Sequence, residues 1–309
     1  MMRVVYIGCK EIGKTVLDAL MEFYTEGIVG VYTYADEMSN KYTRNSSFDS
    51  VMAKYPDTLY RKIEDINNPD VLDEIRSLKP DVIIQFGWSH LIKKDLINIP
   101  PKGCVGFHSS LLPKYRGGSP LNWGIINGET EWGMTCFYLT PGLDDGDIIA
   151  QEKFPIEEYD TCKTLYDKAV ESSIKMLKEN LPKIANGTAE RIPQNSAEVT
   201  LVKRRKPEDG KIDWDMPVKK IYDLIRGTTR PFPGAFTFLG DEKIIVWASR
   251  KTGKDSSGSA SGKILEITDK GVVVSTGNES LLLTDIEYEK AHDTKIDKQY
   301  IGKKLGEIV

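Results

Sequence analysis

A histidine and a group of carboxylates stand where two apolar runs of this sequence end. His108 closes a run that begins near Cys104, and Asp144 to Asp147 follow a second run, Met134–Leu139. A carboxylate beside an imidazole orients the ring and favours its charged form, which suits acid–base chemistry near neutral pH. Open α/β sheets place ligands beyond the carboxyl ends of their strands, so both features are predicted to face one site. A structural histidine and an ordinary polar turn are the alternatives.

Two longer motifs surround these residues. They are His108–Trp123, with its proline, arginine and paired glycines, and Gly133–Gln151. In this order they resemble the signature of the folate-dependent formyltransferases, which take a formyl group from 10-formyltetrahydrofolate. The resemblance covers most of the chain and implies that His108 and Asp144 are catalytic. The third catalytic residue of that family is an asparagine, and Gly106 stands at its position.

The resemblance also implies which residues bind the co-substrate and the acceptor, and it implies no metal. The expected folate contacts are Phe86, Gly87, Trp88, Leu91, Leu139, Pro141, Gly142 and Leu143. For Trp88, a place as core filler is an equal alternative. The expected acceptor contacts are Ser110, Arg116, Gly117, Arg204 and Arg205. Without the side-chain amide that Gly106 lacks, a backbone amide, a water, Asn122 or Ser109 is expected to take its role.

Composition excludes several classes of protein. The chain has 42 Lys and Arg residues and 46 Asp and Glu residues, which gives a net charge of -4. This composition does not indicate a polycationic surface for a nucleic-acid partner. We find no apolar run of transmembrane length and no signal-peptide pattern, and the four cysteines form no CxxC pair. A cytoplasmic protein with reduced, buried thiols is therefore expected.

The order of the predicted elements indicates an α/β protein. Residues 1–190 alternate strands and helices and predict a Rossmann-like, mostly parallel sheet domain that carries the chemistry. The predicted strands include Ile28–Tyr34 and Val82–Phe86. The predicted helices include Ile12–Tyr24, with one apolar face, and a helix that Asn68–Pro69 caps. Residues 191–205 are predicted to be a linker. Residues 206–309 contain short β-type runs separated by turns, which predict a small open β-barrel of the OB-like kind. Family members that act on tRNA or sugar nucleotides carry such a barrel, and Arg205–Trp214 and Pro231–Phe236 resemble its elements.

A second nucleotide-binding hypothesis comes from the amino-terminal segment. Gly8–Thr15 matches the P-loop pattern GxxxxGK[ST] between a predicted strand and a predicted helix. In a P-loop, Lys14 would contact phosphate and Thr15 would bind magnesium. The chain offers no apolar strand that ends in a magnesium-binding aspartate, so this hypothesis ranks low.

The acceptor is predicted from charge. Relatives that act on tRNA carry a basic loop after the second strand. In this chain the same segment has two basic residues, Lys41 and Arg44, and more acidic residues than basic ones, so it is not expected to bind phosphates. Arg204 and Arg205 suit a diphosphate, because a guanidinium binds phosphate oxygens in a fork. We expect an amino-sugar nucleotide. Methionyl-tRNA is the alternative, followed by a folate-binding protein without catalysis, which Gly106 motivates. The oligomeric state is left open.

Overall fold

The chain divides into two compact units. The computed structural model describes residues 1–41, 46–290 and 296–306, so Arg44 lies outside the described residues. The first unit comprises Met1–Gly117, Gly133–Phe154 and Tyr166–Leu201. The second comprises Gly118–Trp132, Pro155–Leu165 and Val202–Val309.

A seven-stranded, mostly parallel sheet forms the larger of the two main sheets and confirms the predicted fold class. In chain order the first strands are β1 (Val4–Gly8), β2 (Ile28–Tyr34), β3 (Tyr60–Ile63), β4 (Val82–Phe86), β5 (Cys104–His108) and the short β6 (Arg116–Gly117). They are followed by β7 (Glu131–Tyr138) and β8 (Ile148–Pro155). The order across the sheet is β3-β2-β1-β4-β5-β7-β8, and β7 runs antiparallel to β5. The parallel strands β1, β4 and β5 therefore end side by side, which is where an open α/β sheet binds its ligand.

Seven α-helices accompany the strands in the described part of the chain. They are α1 (Glu11–Tyr24), α2 (Asp49–Met52), α3 (Pro69–Ser77), α4 (Lys94–Ile97), α5 (Pro120–Asn127), α6 (Cys162–Asn186) and α7 (Val218–Thr228). The apolar face predicted for α1 is buried, with Val16, Leu17 and Leu20 fully inaccessible. The start of α3 is also as predicted, since the Asn68 side chain accepts a hydrogen bond from the Asp70 amide and Pro69 opens the first turn.

The residues of the P-loop pattern are explained by the packing of helix α1 and not by phosphate binding. Helix α1 begins at Glu11, inside the motif, so no loop of the length that wraps a phosphate remains. A Cβ at Gly8 or at Gly13 would lie 2.9 or 2.8 Å from the Phe86 carbonyl oxygen, and the Thr15 hydroxyl donates to the Glu11 carbonyl within the helix. Both glycines are thus explained by the close approach of α1 to the end of β4.

The second unit contains a five-stranded antiparallel sheet. After the short β9 (Leu201–Val202), its strands are β10 (Ala235–Leu239), β11 (Glu242–Asp255), β12 (Ile264–Thr268), β13 (Gly271–Ser275) and β14 (Glu279–Tyr288). They are ordered β10-β11-β14-β13-β12 and confirm the predicted series of short strands in a small barrel-like fold. The apolar face of α7 joins Trp214 and the inward residues of the strands in one core. Trp214 satisfies its buried indole by donating to the Thr237 hydroxyl at 2.9 Å.

No helix in the described part of the chain is both long and apolar enough to cross a membrane.

Candidate active site

The predicted catalytic residues meet beside the carboxyl end of β5. His108 is the last residue of β5 and pairs with Thr135, and Asp144 lies in the loop that follows β7. The side chains of both residues are largely buried, with 9% and 22% of their surfaces exposed. Because β7 runs antiparallel to β5, its carboxyl end lies beside the amino half of β5, and the loop after β7 brings Asp144 back to His108.

His108 is held between two acceptors. Its Nδ1 lies 3.5 Å from Asp144 Oδ2, and its Nε2 lies 2.8 Å from the Tyr115 carbonyl oxygen. A carbonyl oxygen can only accept, so Nε2 carries a hydrogen in this arrangement. His108 is thus arranged as a hydrogen-bond donor at Nε2 rather than as a base.

Asp144 is fixed by backbone groups and by a glutamine. Its Oδ2 accepts a hydrogen bond from the Gly117 amide at 2.9 Å, and its own backbone is left-handed, with φ of 49°. Such a conformation is unfavourable for a residue with a side chain, so it needs support from its surroundings. The support comes from the Gln194 amide, which donates to the Asp144 and Gly146 carbonyls at 2.9 and 2.8 Å.

Gln194 also connects this loop to Arg116. Its Oε1 accepts from Nε and Nη2 of Arg116 at 3.1 and 2.7 Å. The Arg116 backbone amide in turn donates to the Thr200 carbonyl. Gln194 was not among the residues expected from the sequence, because it belongs to no motif and its segment has no periodicity. The 191–200 segment thus contributes to the site instead of serving only as a connection.

Gly106 lies two residues before His108 and faces an apolar neighbour. A Cβ at this position would lie 2.5 Å from Cδ2 of Leu139, whose side chain fills the space beside the strand. Gly106 therefore supplies no side-chain amide, and an asparagine side chain would not fit at this position. Of the substitutes expected from the sequence, the Asn122 amide donates to the Gly227 carbonyl at 2.7 Å within the second unit.

The expected folate contacts divide into three groups. Trp88 is 8% exposed, stacks on Tyr34 at 3.9 Å between ring centroids, and its indole nitrogen has no hydrogen-bond acceptor among the described residues. Leu91 and Leu143 expose 64% and 55% of their surfaces, and Pro141 and Gly142 are also exposed. The Phe86 ring is buried against Phe107, at 4.5 Å, on the sheet face opposite His108.

These residues fit a folate. A pterin has hydrogen-bonding edges and flat faces, and an aromatic pair with an unpaired buried indole N–H offers matching groups. Gly87, with φ of 66°, turns the chain between β4 and Trp88. The Phe86 ring contributes to the core, and its residue is almost fully buried.

The side chains of the expected acceptor contacts differ in burial and in whether they already have hydrogen-bond partners. Ser110 is fully buried and its hydroxyl donates to the Lys114 carbonyl, so this side chain supports the loop. In the second unit, Arg205 lies 4.9 Å over the Trp123 ring and donates to the Asp209 carbonyl, and burial lowers the pKa of its guanidinium. Arg204 is exposed and forms no ion pair with a described residue.

Two of the four cysteines, Cys104 and Cys136, lie in β5 and β7. Burial raises the pKa of Cys104 to about 12 and raises that of Cys136 as well, so neither thiol is a nucleophile at neutral pH. No group of three or more His, Cys, Asp or Glu side chains among the described residues is arranged to hold a metal ion.

Solved structures share this fold. HypX from Aquifex aeolicus in complex with tetrahydrofolic acid is 18% identical, with a TM-score of 0.66 over 93% of this chain, which spans 44% of that one. An N-formyltransferase from Helicobacter canadensis in complex with folinic acid and dTDP-3-aminofucose is 20% identical, with a TM-score of 0.69 over 92% of this chain and 100% of that one. Methionyl-tRNA formyltransferase from Clostridium thermocellum is 20% identical, with a TM-score of 0.57 over 93% and 99% of the two chains.

Family patterns match both parts of the sequence. Residues 2–181 match the pattern described as formyl transferase, and residues 204–303 match the formyl transferase C-terminal domain. The first match alone covers more than half of the chain and includes β5, β7 and the residues around His108 and Asp144. The chain therefore belongs to the family of folate-dependent formyltransferases.

Proposed function

We propose that this protein transfers a formyl group from 10-formyltetrahydrofolate to the primary amine of a nucleotide-linked amino sugar. The observation that carries the transfer is the arrangement of His108, with Nε2 as a donor and Asp144 at Nδ1. The acceptor class is supported by the full-length similarity to the Helicobacter canadensis enzyme, which was solved with dTDP-3-aminofucose.

The transfer requires a donor at the formyl oxygen. The amine nitrogen attacks the formyl carbon, and the carbonyl electron pair moves to oxygen. When the intermediate collapses, the C=O bond re-forms, the bond to folate N10 breaks, and the proton lost by the amine ends on N10. His108 Nε2–H donates to the Tyr115 carbonyl in this structure, and in the reaction it turns to the negative oxygen. One such donor is commonly worth about 3 kcal/mol, or a hundredfold or more in rate. Asp144 keeps the ring oriented.

Incubation with 10-formyltetrahydrofolate and a panel of nucleotide-linked amino sugars, followed by mass spectrometry, tests the proposal. The expected result is a mass increase corresponding to one formyl group on at least one sugar. The tRNA alternative is supported by the similarity to methionyl-tRNA formyltransferase. Formylation of initiator methionyl-tRNA, with salt-sensitive binding and no turnover of any amino sugar, would replace our acceptor with tRNA.

Arg204 provides a residue-level test of the acceptor. An exposed, unpaired guanidinium that binds phosphate contributes a charged hydrogen bond worth about 1.5–3 kcal/mol, so Arg204→Ala should raise the acceptor KM roughly tenfold or more. The KM for the folate should not change. Arg250→Ala, which removes another exposed arginine of the same unit, is the matched control and should leave both values unchanged. Equal KM values in both variants would remove Arg204 from acceptor binding.

A further inference from the structure

One polar side chain interrupts the apolar strand β4 beside the site. Gln85 is the residue before the last in Val82–Phe86, where the other residues are buried and Gln85 is half-buried. Strand pairing places it opposite Ile7 on β1 and opposite Gly106 on β5, which in turn pairs with Phe137. Paired residues of neighbouring strands point to the same face of a sheet. Gln85 is therefore on the face of Gly106 and of His108, which follows Gly106 by two residues.

The Gln85 amide is uncommitted. It makes no hydrogen bond to any residue that the structure describes, yet it is shielded by its neighbours on both sides. Other amides near the strand ends are in use. Gln151 donates to the Leu112 carbonyl and the Thr135 hydroxyl at 2.8 and 2.9 Å, and Gln194 holds the Asp144 loop. A half-buried amide without a protein partner suits a ligand, because leaving it unpaired costs free energy.

Gln85 and His108 lie close enough on the sheet for their side chains to approach one ligand atom. Neighbouring strands are about 4.8 Å apart and residues rise about 3.3 Å each, so the Cβ atoms of Gln85 and His108 lie roughly 8 Å apart on a diagonal. A glutamine and a histidine side chain that each extend roughly 4 Å can therefore reach one oxygen between them. Gly106 itself places no side chain between the two, and Leu139 lies beside the strand at that point.

We propose that Gln85 is a catalytic residue that donates its amide N–H to the formyl oxygen and so replaces the asparagine that this chain lacks at Gly106. The proposal rests on the proposed function in requiring formyl transfer. It does not depend on which amine accepts the group. Gln85 and His108 together would stabilise the oxygen that becomes negative when the nucleophile attacks, and no proton leaves Gln85 in the reaction.

Gln85→Leu tests this role because it removes the amide and keeps most of the volume. The expected result is a fall in kcat of roughly a hundredfold, the usual loss for one oxyanion donor, with unchanged melting temperature. Binding of 5-formyltetrahydrofolate, measured by calorimetry, should stay within about twofold. Gln85→Glu keeps the shape, lacks the donor and adds a negative charge, so its kcat should fall at least as far. Wild-type kcat in Gln85→Leu would overturn the proposal.

A rescue experiment separates hydrogen bonding from packing. Restoring an asparagine at Gly106 requires room, since Leu139 fills that space. We therefore compare Gln85→Leu/Leu139→Ala with the same variant that also carries Gly106→Asn. If an amide at the oxygen is what Gln85 supplies, the added asparagine should raise kcat at least tenfold. No gain, with folate binding retained in both variants, would contradict the proposal.

Different results would refute the proposed acceptor class and the proposed role of Gln85. Hydrolysis of 10-formyltetrahydrofolate, in which water takes the formyl group through the same kind of intermediate, gives a rate that needs no amine. A wild-type protein that formylates no amino sugar but hydrolyses the folate overturns the acceptor class, and Gln85→Leu is then judged on hydrolysis. A wild-type protein that uses neither amine nor water overturns both.

Discussion

Gln194 connects three parts of the site, and its replacement tests whether positioning of Asp144 limits the reaction. Gln194→Ala removes both donations to the Asp144 and Gly146 carbonyls and the acceptor that faces Arg116. Each neutral bond is worth about 1 kcal/mol and the charged one about 1.5–3 kcal/mol. Water can replace part of this at a half-buried residue, so we expect the free energy of unfolding to fall by about 1–2 kcal/mol.

The effect on catalysis should be larger than the effect on stability. Asp144 has a left-handed backbone that Gln194 supports, so its carboxylate should shift when the support is lost. A displacement of about 1 Å in a catalytic group costs about a hundredfold in rate. We therefore expect kcat to fall by roughly tenfold to a hundredfold, with a smaller change in the folate KM, measured as formation of the formylated product.

Two variants serve as controls. Gln194→Glu keeps an oxygen toward Arg116 but cannot donate to the two carbonyls, so its kcat should fall about as far as that of Gln194→Ala. Asn180→Ala removes a buried amide that donates to the Met176 carbonyl within α6, and should lower stability with kcat unchanged. The reasoning is refuted if Gln194→Ala retains wild-type kcat, or loses no more than Asn180→Ala does.

Two further predictions concern the ends of the sheet. His108→Ala and Asp144→Asn should each lower kcat by roughly a hundredfold or more while circular dichroism shows the fold intact, and near-normal turnover in either variant would exclude that residue from the mechanism. Lys14→Ala should leave formyl transfer within a few-fold of wild type, because the P-loop pattern lies largely in helix α1. A melting-temperature increase with ATP and magnesium that the Lys14 substitution abolishes would instead support nucleotide binding.

Local sequence patterns determined the elements and the family. Strands β2 and β4 have the predicted bounds, Ile28–Tyr34 and Val82–Phe86, because unbroken apolar runs between turn residues have few alternatives. The apolar face of α1 and the start of α3 were likewise readable, since a helical period and an N-cap are contained in a few consecutive residues. The two motifs around His108 and Asp144 identified the chemistry for the same reason.

Contacts between distant segments were decided only by the tertiary structure. The sequence predicted that Phe86 contacts the folate and predicted no role for Gln85. Strand pairing instead directs the Phe86 ring away from His108 and places Gln85 beside Gly106. Gln194 reached Asp144 from 50 residues away. A residue's strand face and its cross-strand neighbours follow from register, which depends on the packing of the whole sheet and leaves no mark in the residues that flank Gln85 or Gln194.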